Sequence, residues 1–331
     1  VAHVPGNPLR RGRGGRGLDG HGLARPQGHR PHDLAHPRPR PRAGLGPGLR
    51  GPARLGLAVT TYGCTDWNFA EIPYFSRSIT AATATAHRHG YALITLPCTA
   101  RQDLWTTLRL AGVVLVDSPA EDPVADSLRA HGIPLAFDGR PADPHPGEAW
   151  VDNDHAAATR HVLDHLTDQG AHRIALLAGP GEEHYTRACV TAYTAWCRRR
   201  GHLPQIVQNT HTPYPDGPLD HALASPDRPD AVFGIYDYCG HRTLTSAARL
   251  GLRIPEDLLV VCASEDPSYA FSDPPVTTLS LSPDLSMPAA VTALIELIET
   301  SAHTPEPTMV PTRLTVRASS TRAREQRQSC R

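Results

Sequence analysis

Residues 152–180 read DNDHAAATRHVLDHLTDQGAHRIALLAGP. Within them His155, Thr159, Val162, Leu163 and Leu166 recur at helical spacing, and Arg173–Leu177 forms a short apolar run of strand length. Gly170 stands between the two, where a helix ends in a left-handed residue that a Cβ would disfavour. The stretch therefore predicts a helix, a glycine stop and a strand. The same grammar extends outward on both sides. Apolar runs fall at Leu55–Val59, Tyr91–Leu96, Gly112–Val116, Ile133–Phe137, Ala231–Tyr236 and Leu258–Cys262, and Gly90, Gly132, Gly201 and Gly251 repeat the stop. A second helical pattern runs through Phe69, Ile72, Phe75, Ile79 and Ala82. Repeated strand–helix–glycine–strand units predict an α/β fold with mostly parallel sheets. The block is too long for one small doubly wound domain, so two lobes are expected, with a boundary near Val151–His155.

Composition sets the outer limits. The 331 residues are 40 % hydrophobic and 20 % charged, which suits a globular chain with a substantial core. No apolar run approaches the roughly 18 residues of a membrane helix, and no apolar segment follows the basic start as in a secretory signal. Seven scattered cysteines without a Cys-x-x-Cys pair read as reduced thiols, and a cytoplasmic location is expected. No nucleophile motif, phosphate-binding loop or dinucleotide fingerprint is present, so no enzyme, cofactor or metal is expected. His161 and His165 share a helix face, but without a third ligand they read as a solvent-facing pair.

Residues 1–54 are a different text. They use ten residue types, carry eleven Arg against two Asp, and include twelve Gly and nine Pro. They lack aromatics, Ile, Ser and Thr. Such a segment cannot bury enough apolar surface to offset its ordering entropy and is expected to be a disordered N-terminal arm.

Three phrases, in this order, identify a likeness. They are the 152–180 stretch, AARLGLRIPEDLLVV at 247–261, and DPPVTTL at 273–279. From Leu55 to about Ser319 the chain resembles the lactose-repressor (LacI/GalR) family of transcriptional regulators. The resemblance implies two Rossmann-like lobes of periplasmic-binding-protein-like type joined by three crossing strands. It assigns about 55–153 and 281–305 to the first lobe, about 154–280 and 306–319 to the second, and leaves 320–331 as a basic tail without a role. It also implies a small-molecule effector, sugar-like in most of the family, a homodimer, operator DNA as partner through an N-terminal helix-turn-helix, and repression as the mode of action.

Matched to the family pattern, the ligand cleft is expected to draw on Tyr62, Trp67, Phe69, Asp138, Arg140, Asp152, Arg187, Tyr236, Asp237 and Glu265. Aromatic faces make platforms for sugar rings or flat ligands, and a cleft carboxylate needs an Arg or a ligand hydroxyl as partner. Trp67 and Phe69 could equally pack a helix onto its sheet. Four positions depart from the pattern. The usual ligand-gripping Arg falls on Cys189, the Asn-Asp pair becomes Tyr236-Asp237, the Asp-Asp pair becomes Ser264-Glu265, and a frequent Gln falls on Leu281. These departures put a common sugar effector in question.

The helix-turn-helix is not readable in residues 1–54. Every residue there except Asn7 belongs to a type whose codons can begin with G or C, as expected when a gene with GC-rich third positions is read one base off. Shifted by one base, the codons from Asn7 to Gly28 permit an A-G-V-S-x-x-T-V-S-R run like the family's recognition region. Two readings stay open: a DNA-binding region read out of frame, or a genuine arginine-rich arm that binds DNA weakly through phosphate charge. A stand-alone solute-binding protein of the same fold is the other alternative.

Overall fold

The computed structural model describes residues 52–60, 69–97, 102–179, 181–208, 217–300 and 306–322. The arm and the frame question at residues 1–51 lie outside them. The first lobe contains β1 (Arg54–Val59), α1 (Pro73–Arg88), β2 (Ala92–Pro97), α2 (Gln102–Thr107), β3 (Gly112–Val116), α3 (Pro123–Ala130), β4 (Leu135–Asp138) and β5 (Ala149–Asn153). The second contains α4 (His155–Asp168), β6 (Ile174–Ala178), α5 (His184–Arg199), β7 (Gln205–Gln208), α6 (Pro218–Ala224), β8 (Ala231–Gly234), α7 (Cys239–Arg249), β9 (Leu259–Ala263) and β10 (Thr277–Ser280). The chain then returns through α8 (Pro283–Thr300) and β11 (Thr308–Val310) to the first lobe before β12 (Arg313–Thr315) closes the second sheet.

The two sheets repeat one plan. Their strand orders are β11-β5-β4-β3-β1-β2 and β12-β10-β9-β8-β6-β7. Among the described strands only β12 runs antiparallel, against β10. Helices cover both faces of each sheet, which is why the inner strands read as unbroken apolar runs rather than alternating ones. In the first lobe Leu55, Leu57 and Val114 pack toward α1 and α8, while Val113, Leu115 and Phe137 pack with Trp105 and Leu128 on the other face. In the second, Leu176 and Phe233 meet Val162, Leu166 and Tyr193, and Leu177 and Val232 meet Leu219 and Leu223. Asp122 caps α3 and Asp154 caps α4 through their carboxylates. All five glycines expected to stop helices have positive φ, between 65° and 86°.

Several expectations need correction. Arg54, assigned to the arm, is the first residue of β1 and pairs with Ala92. Thr308–Val310, assigned to the second lobe, pairs with β5 in the first, so the last crossing comes after Val310 rather than before residue 306. The expected tail begins too early: Ser319 and Ser320 are fully buried, and the Arg322 guanidinium donates to the carbonyls of Pro255 and Gly170. His165 is not solvent-facing, because its Nε2 lies 2.8 Å from the Ser320 hydroxyl and burial lowers its pKa.

The three crossings share one clamp. Asn153, at the end of β5, donates its amide N–H groups to the carbonyls of Leu281, at the second crossing (3.1 Å), and Val310, at the third (3.0 Å). One side chain thereby holds all three connections between the lobes.

Candidate functional site between the lobes

Both sheets aim the carboxyl ends of their strands at the gap between the lobes, the usual position for a ligand in doubly wound sheets. A cavity of about 380 Å³ lies there. Its first-lobe wall comes from the start of α1 (Ile72, Tyr74, Phe75), the residue after β3 (Asp117), the end of β4 (Asp138, Gly139) and the end of β5 (Asp152, Asn153). The second-lobe wall comes from His155, the α5 start (Glu183, Tyr185), the β8 end (Tyr236, Asp237, Tyr238), the β9 end (Ser264, Glu265) and Leu281.

The carboxyls differ in what holds them. Asp138 is 2 % exposed and accepts a 3.0 Å hydrogen bond from the Tyr74 hydroxyl. Burial pushes its pKa up to about 6 against that bond, and Asp152 adds to the push. Asp152 is buried too, yet its pKa is held below the usual range. His155 Nε2 lies 2.7 Å away, and the backbone N–H groups of Asn153 and Arg140 donate to it. Asp117 sits at φ 50°, a conformation an L-residue enters at a cost. Burial, then the nearby charges of Glu183, Asp138 and Asp152, pushes its carboxyl well above the usual range.

Across the gap, Asp237 accepts from the Ser264 hydroxyl and the Glu265 N–H, and burial raises its pKa. Glu265 accepts from the Ser280 hydroxyl, the Leu281 N–H and, from the opposite lobe, Arg77 at 2.9 Å. Burial still leaves its pKa raised. Arg77 also pairs with Asp284. Tyr236 and Tyr238 stack with their rings 6.1 Å apart, and Tyr185 meets Tyr236 edge-on.

Of the ten expected ligand residues, Asp138, Asp152, Tyr236, Asp237 and Glu265 line this cavity. Tyr62 and Trp67 lie outside the described residues. Phe69 does not line the cavity; its ring packs edge-on against Phe75, which does. Arg140 contributes only its backbone N–H, while its guanidinium lies over the Trp150 ring. Arg187 is exposed on α5 and does not line the cavity. Cys189, where the family pattern has a ligand-gripping Arg, is buried in the second-lobe core with its thiol pushed up to about 12 by burial, and it does not line the cavity. Leu281 does reach the wall, as an apolar side chain.

Sequence reasoning missed Asp117, Glu183, Tyr74 and His155 as cavity residues. Asp117 directly follows the Gly112–Val116 run, a position that in a parallel sheet is already at the ligand end, and that signal was available. Glu183 and Tyr74 had none, since helix starts give no clue to what they face. Among the described residues no three His, Cys, Asp or Glu side chains are placed to hold a metal, and no helix is long and apolar enough to cross a membrane.

Two doubly wound lobes, three clamped crossings and a cavity at the strand ends define a periplasmic-binding-protein-like fold. The family model of the periplasmic binding protein-like domain matches residues 163–320. The transcriptional repressor CytR of Escherichia coli strain K12 is 28 % identical over 221 residues, 63 % of this chain and 64 % of that protein. The transcriptional regulator CelR of Thermobifida fusca is 27 % identical over 217 residues, 63 % of each. A putative LacI transcriptional regulator from Bacillus cereus subsp. cytotoxis superposes with a TM-score of 0.73 at 20 % identity, covering 81 % of this chain and 98 % of that one. The chain contains a periplasmic-binding-protein-like domain homologous to LacI-family regulators. It spans about 64 % of the length of CytR and 63 % of that of CelR.

Proposed function

We propose that the chain is a ligand-responsive transcriptional regulator of the lactose-repressor type, acting as a repressor in the cytoplasm, with the inter-lobe cavity as effector site. It is not an enzyme in this reading, and it uses no cofactor. A homodimer and operator DNA are its partners, the DNA being read by a helix-turn-helix region that residues 1–54 do not spell in this frame. The observation that supports the reading is the cavity itself, closed by both lobes at their strand ends and flanked by crossings that Asn153 holds together. A ligand touching both walls binds the closed arrangement better than an open one. That difference in affinity is what shifts an equilibrium and passes to an attached module.

An electrophoretic shift with DNA from upstream of its own gene tests this. A specific, salt-tolerant complex supports the regulator and ends the out-of-frame reading of residues 1–54. A complex that is weak, insensitive to sequence and lost steeply with salt supports the other reading, of a ligand sensor with a charged arm. Sequencing the locus across codons 1–60 in all three frames then decides whether a DNA reader was encoded.

A further inference from the structure

The second crossing holds a strained residue with a charged side chain laid across it. Ser282, between β10 and α8, sits at φ 57°, in the left-handed region that a serine enters at a cost. Its hydroxyl donates to the Pro311 carbonyl of the third crossing at 2.8 Å, and its N–H donates to the Ser280 hydroxyl at 3.1 Å. Strain of this kind persists only where surrounding bonds impose it, and hinges are built from a few such residues at the ends of elements.

Arg77, on α1, straddles that position. Its Nη1 donates to Glu265 at 2.9 Å, on the second-lobe side, and its Nη2 donates to Asp284, at the start of α8 on the first-lobe side. Glu265 is tied to the crossing itself. Its other oxygen accepts from the Ser280 hydroxyl at 2.7 Å and the Leu281 N–H at 2.9 Å, and Asn153 holds the Leu281 carbonyl. A continuous run of bonds thus leads from α1 to the crossings. Asp152 also meets His155 and His184 across the first crossing. An imidazole, however, is charged only when protonated, whereas a guanidinium keeps its charge.

We infer that Arg77 is a strap across the hinge at Ser282, holding the two lobes together before any ligand binds. The inference stands on the fold and does not depend on what the cavity takes. Opening the gap parts Arg77 from Glu265 but not from Asp284, because α1 and α8 pack in the same first-lobe core. Asp284 therefore keeps the guanidinium aimed, which reduces the side-chain entropy lost when the lobes close again. Glu265, with its side chain only 4 % exposed, keeps its two crossing donors and loses its counter-charge. The ligand-free chain is then biased toward closure, and an effector adds to a state that already exists.

Single-molecule energy transfer on the full chain, without ligand, tests the strap. Dyes are attached to azido residues at His87, exposed near the end of α1, and Leu203, exposed beyond α5. Arg77→Met, checked for folding by circular dichroism, is expected to raise the open-to-closed ratio by about fivefold. Raising sodium chloride from about 0.05 M to about 0.5 M is expected to open the wild type and leave the variant little changed. Glu265→Gln should reproduce most of the effect, and the double variant should add little to either single one. Arg88→Met removes an exposed arginine of the same helix that bonds only within its own turn, to Thr85, and should leave the ratio unchanged. A wild type that is mainly open without ligand overturns the inference. So does a closed fraction in Arg77→Met equal to that of the wild type, full additivity with Glu265→Gln, or an equal opening in Arg88→Met. None of these outcomes bears on operator binding, which judges the regulator assignment separately.

Discussion

The two lobes follow one strand order, with β2-β1-β3-β4-β5 in the first repeated as β7-β6-β8-β9-β10 in the second, yet they build unlike walls. The first-lobe wall is carboxylic, with Asp117, Asp138 and Asp152 on successive strand ends. The second places three tyrosines beside its acids. Topology therefore decides where a site falls, at the strand ends, while the few residues after each strand decide what it binds. Neither wall is complete alone: Glu265 of one lobe takes Arg77 of the other.

The comparison can be pressed hardest in the cores. Phe137 on β4 and Phe233 on β8 are both fully buried, one in each lobe. Truncating either to Ala is expected to remove about 3–5 kcal/mol from its own lobe. If the lobes unfold independently, denaturant melts followed by fluorescence and by hydrogen exchange will each show one transition displaced and the other unchanged. A common shift of both transitions would show the crossings couple the lobes into one cooperative unit.

Asp138 and Asp152 sharpen the contrast within a single wall, because burial and hydrogen bonding drive them in opposite directions. Asp138 has a folded pKa near 6, above its ordinary value, so between about pH 4 and 6 the unfolded chain has released the proton and the folded one has not. It therefore subtracts stability as pH rises through that window, by on the order of 2–3 kcal/mol. Asp152, with its pKa lowered, adds stability above its unfolded value and loses it as pH falls toward the folded one. Stability measured from pH 4 to 7 should fall less steeply in Asp138→Asn than in the wild type. An unchanged slope would mean that Asp138 does not titrate there.

The crossings offer the next largest effect. Asn153→Ala deletes both donors to Leu281 and Val310, leaving two carbonyls to find water or remain unpaired, at about 1–3 kcal/mol. The free chain is expected to sample wider openings, visible as a larger radius of gyration by small-angle scattering. Wild-type dimensions in that variant would assign the hinge to the backbone alone.

The smallest effect belongs to the bond between the walls. Arg77 is 41 % exposed, so Arg77→Met should cost about 1 kcal/mol or less. Glu265 keeps its bonds from Ser280 and Leu281 but loses its charge partner, and its pKa is expected to rise further. Carbonyl-resonance titration of Glu265 measures this directly.

Much of the fold was legible. Strands such as Gly112–Val116 announce themselves because helices cover both faces and every position must be apolar. Strand β5, AWVDN, and strand β7, QIVQ, gave no such run: one ends in the polar cleft and the other is an edge strand with exposed positions. The likeness to a known family carried Asp138, Asp152, Tyr236, Asp237 and Glu265 to the cavity, because each lies at the carboxyl end of a strand or in the first residues of the loop after it. It misplaced Arg140 and Arg187, whose long side chains can turn to Trp150 or to solvent from the same backbone position.

The sequence by itself determined the α/β class, the two lobes, the five helix stops and the change of text near residue 54, since all of these follow from local periodicity and backbone preference. Only the tertiary structure decided that β11 returns to the first sheet, that Asn153 ties three distant crossings, and that His155 sets its Nε2 against Asp152. It also decided that six carboxyls from separate loops share one cavity. Those facts depend on which residues far apart in the chain come within hydrogen-bond or Coulomb range, and no local pattern records that distance.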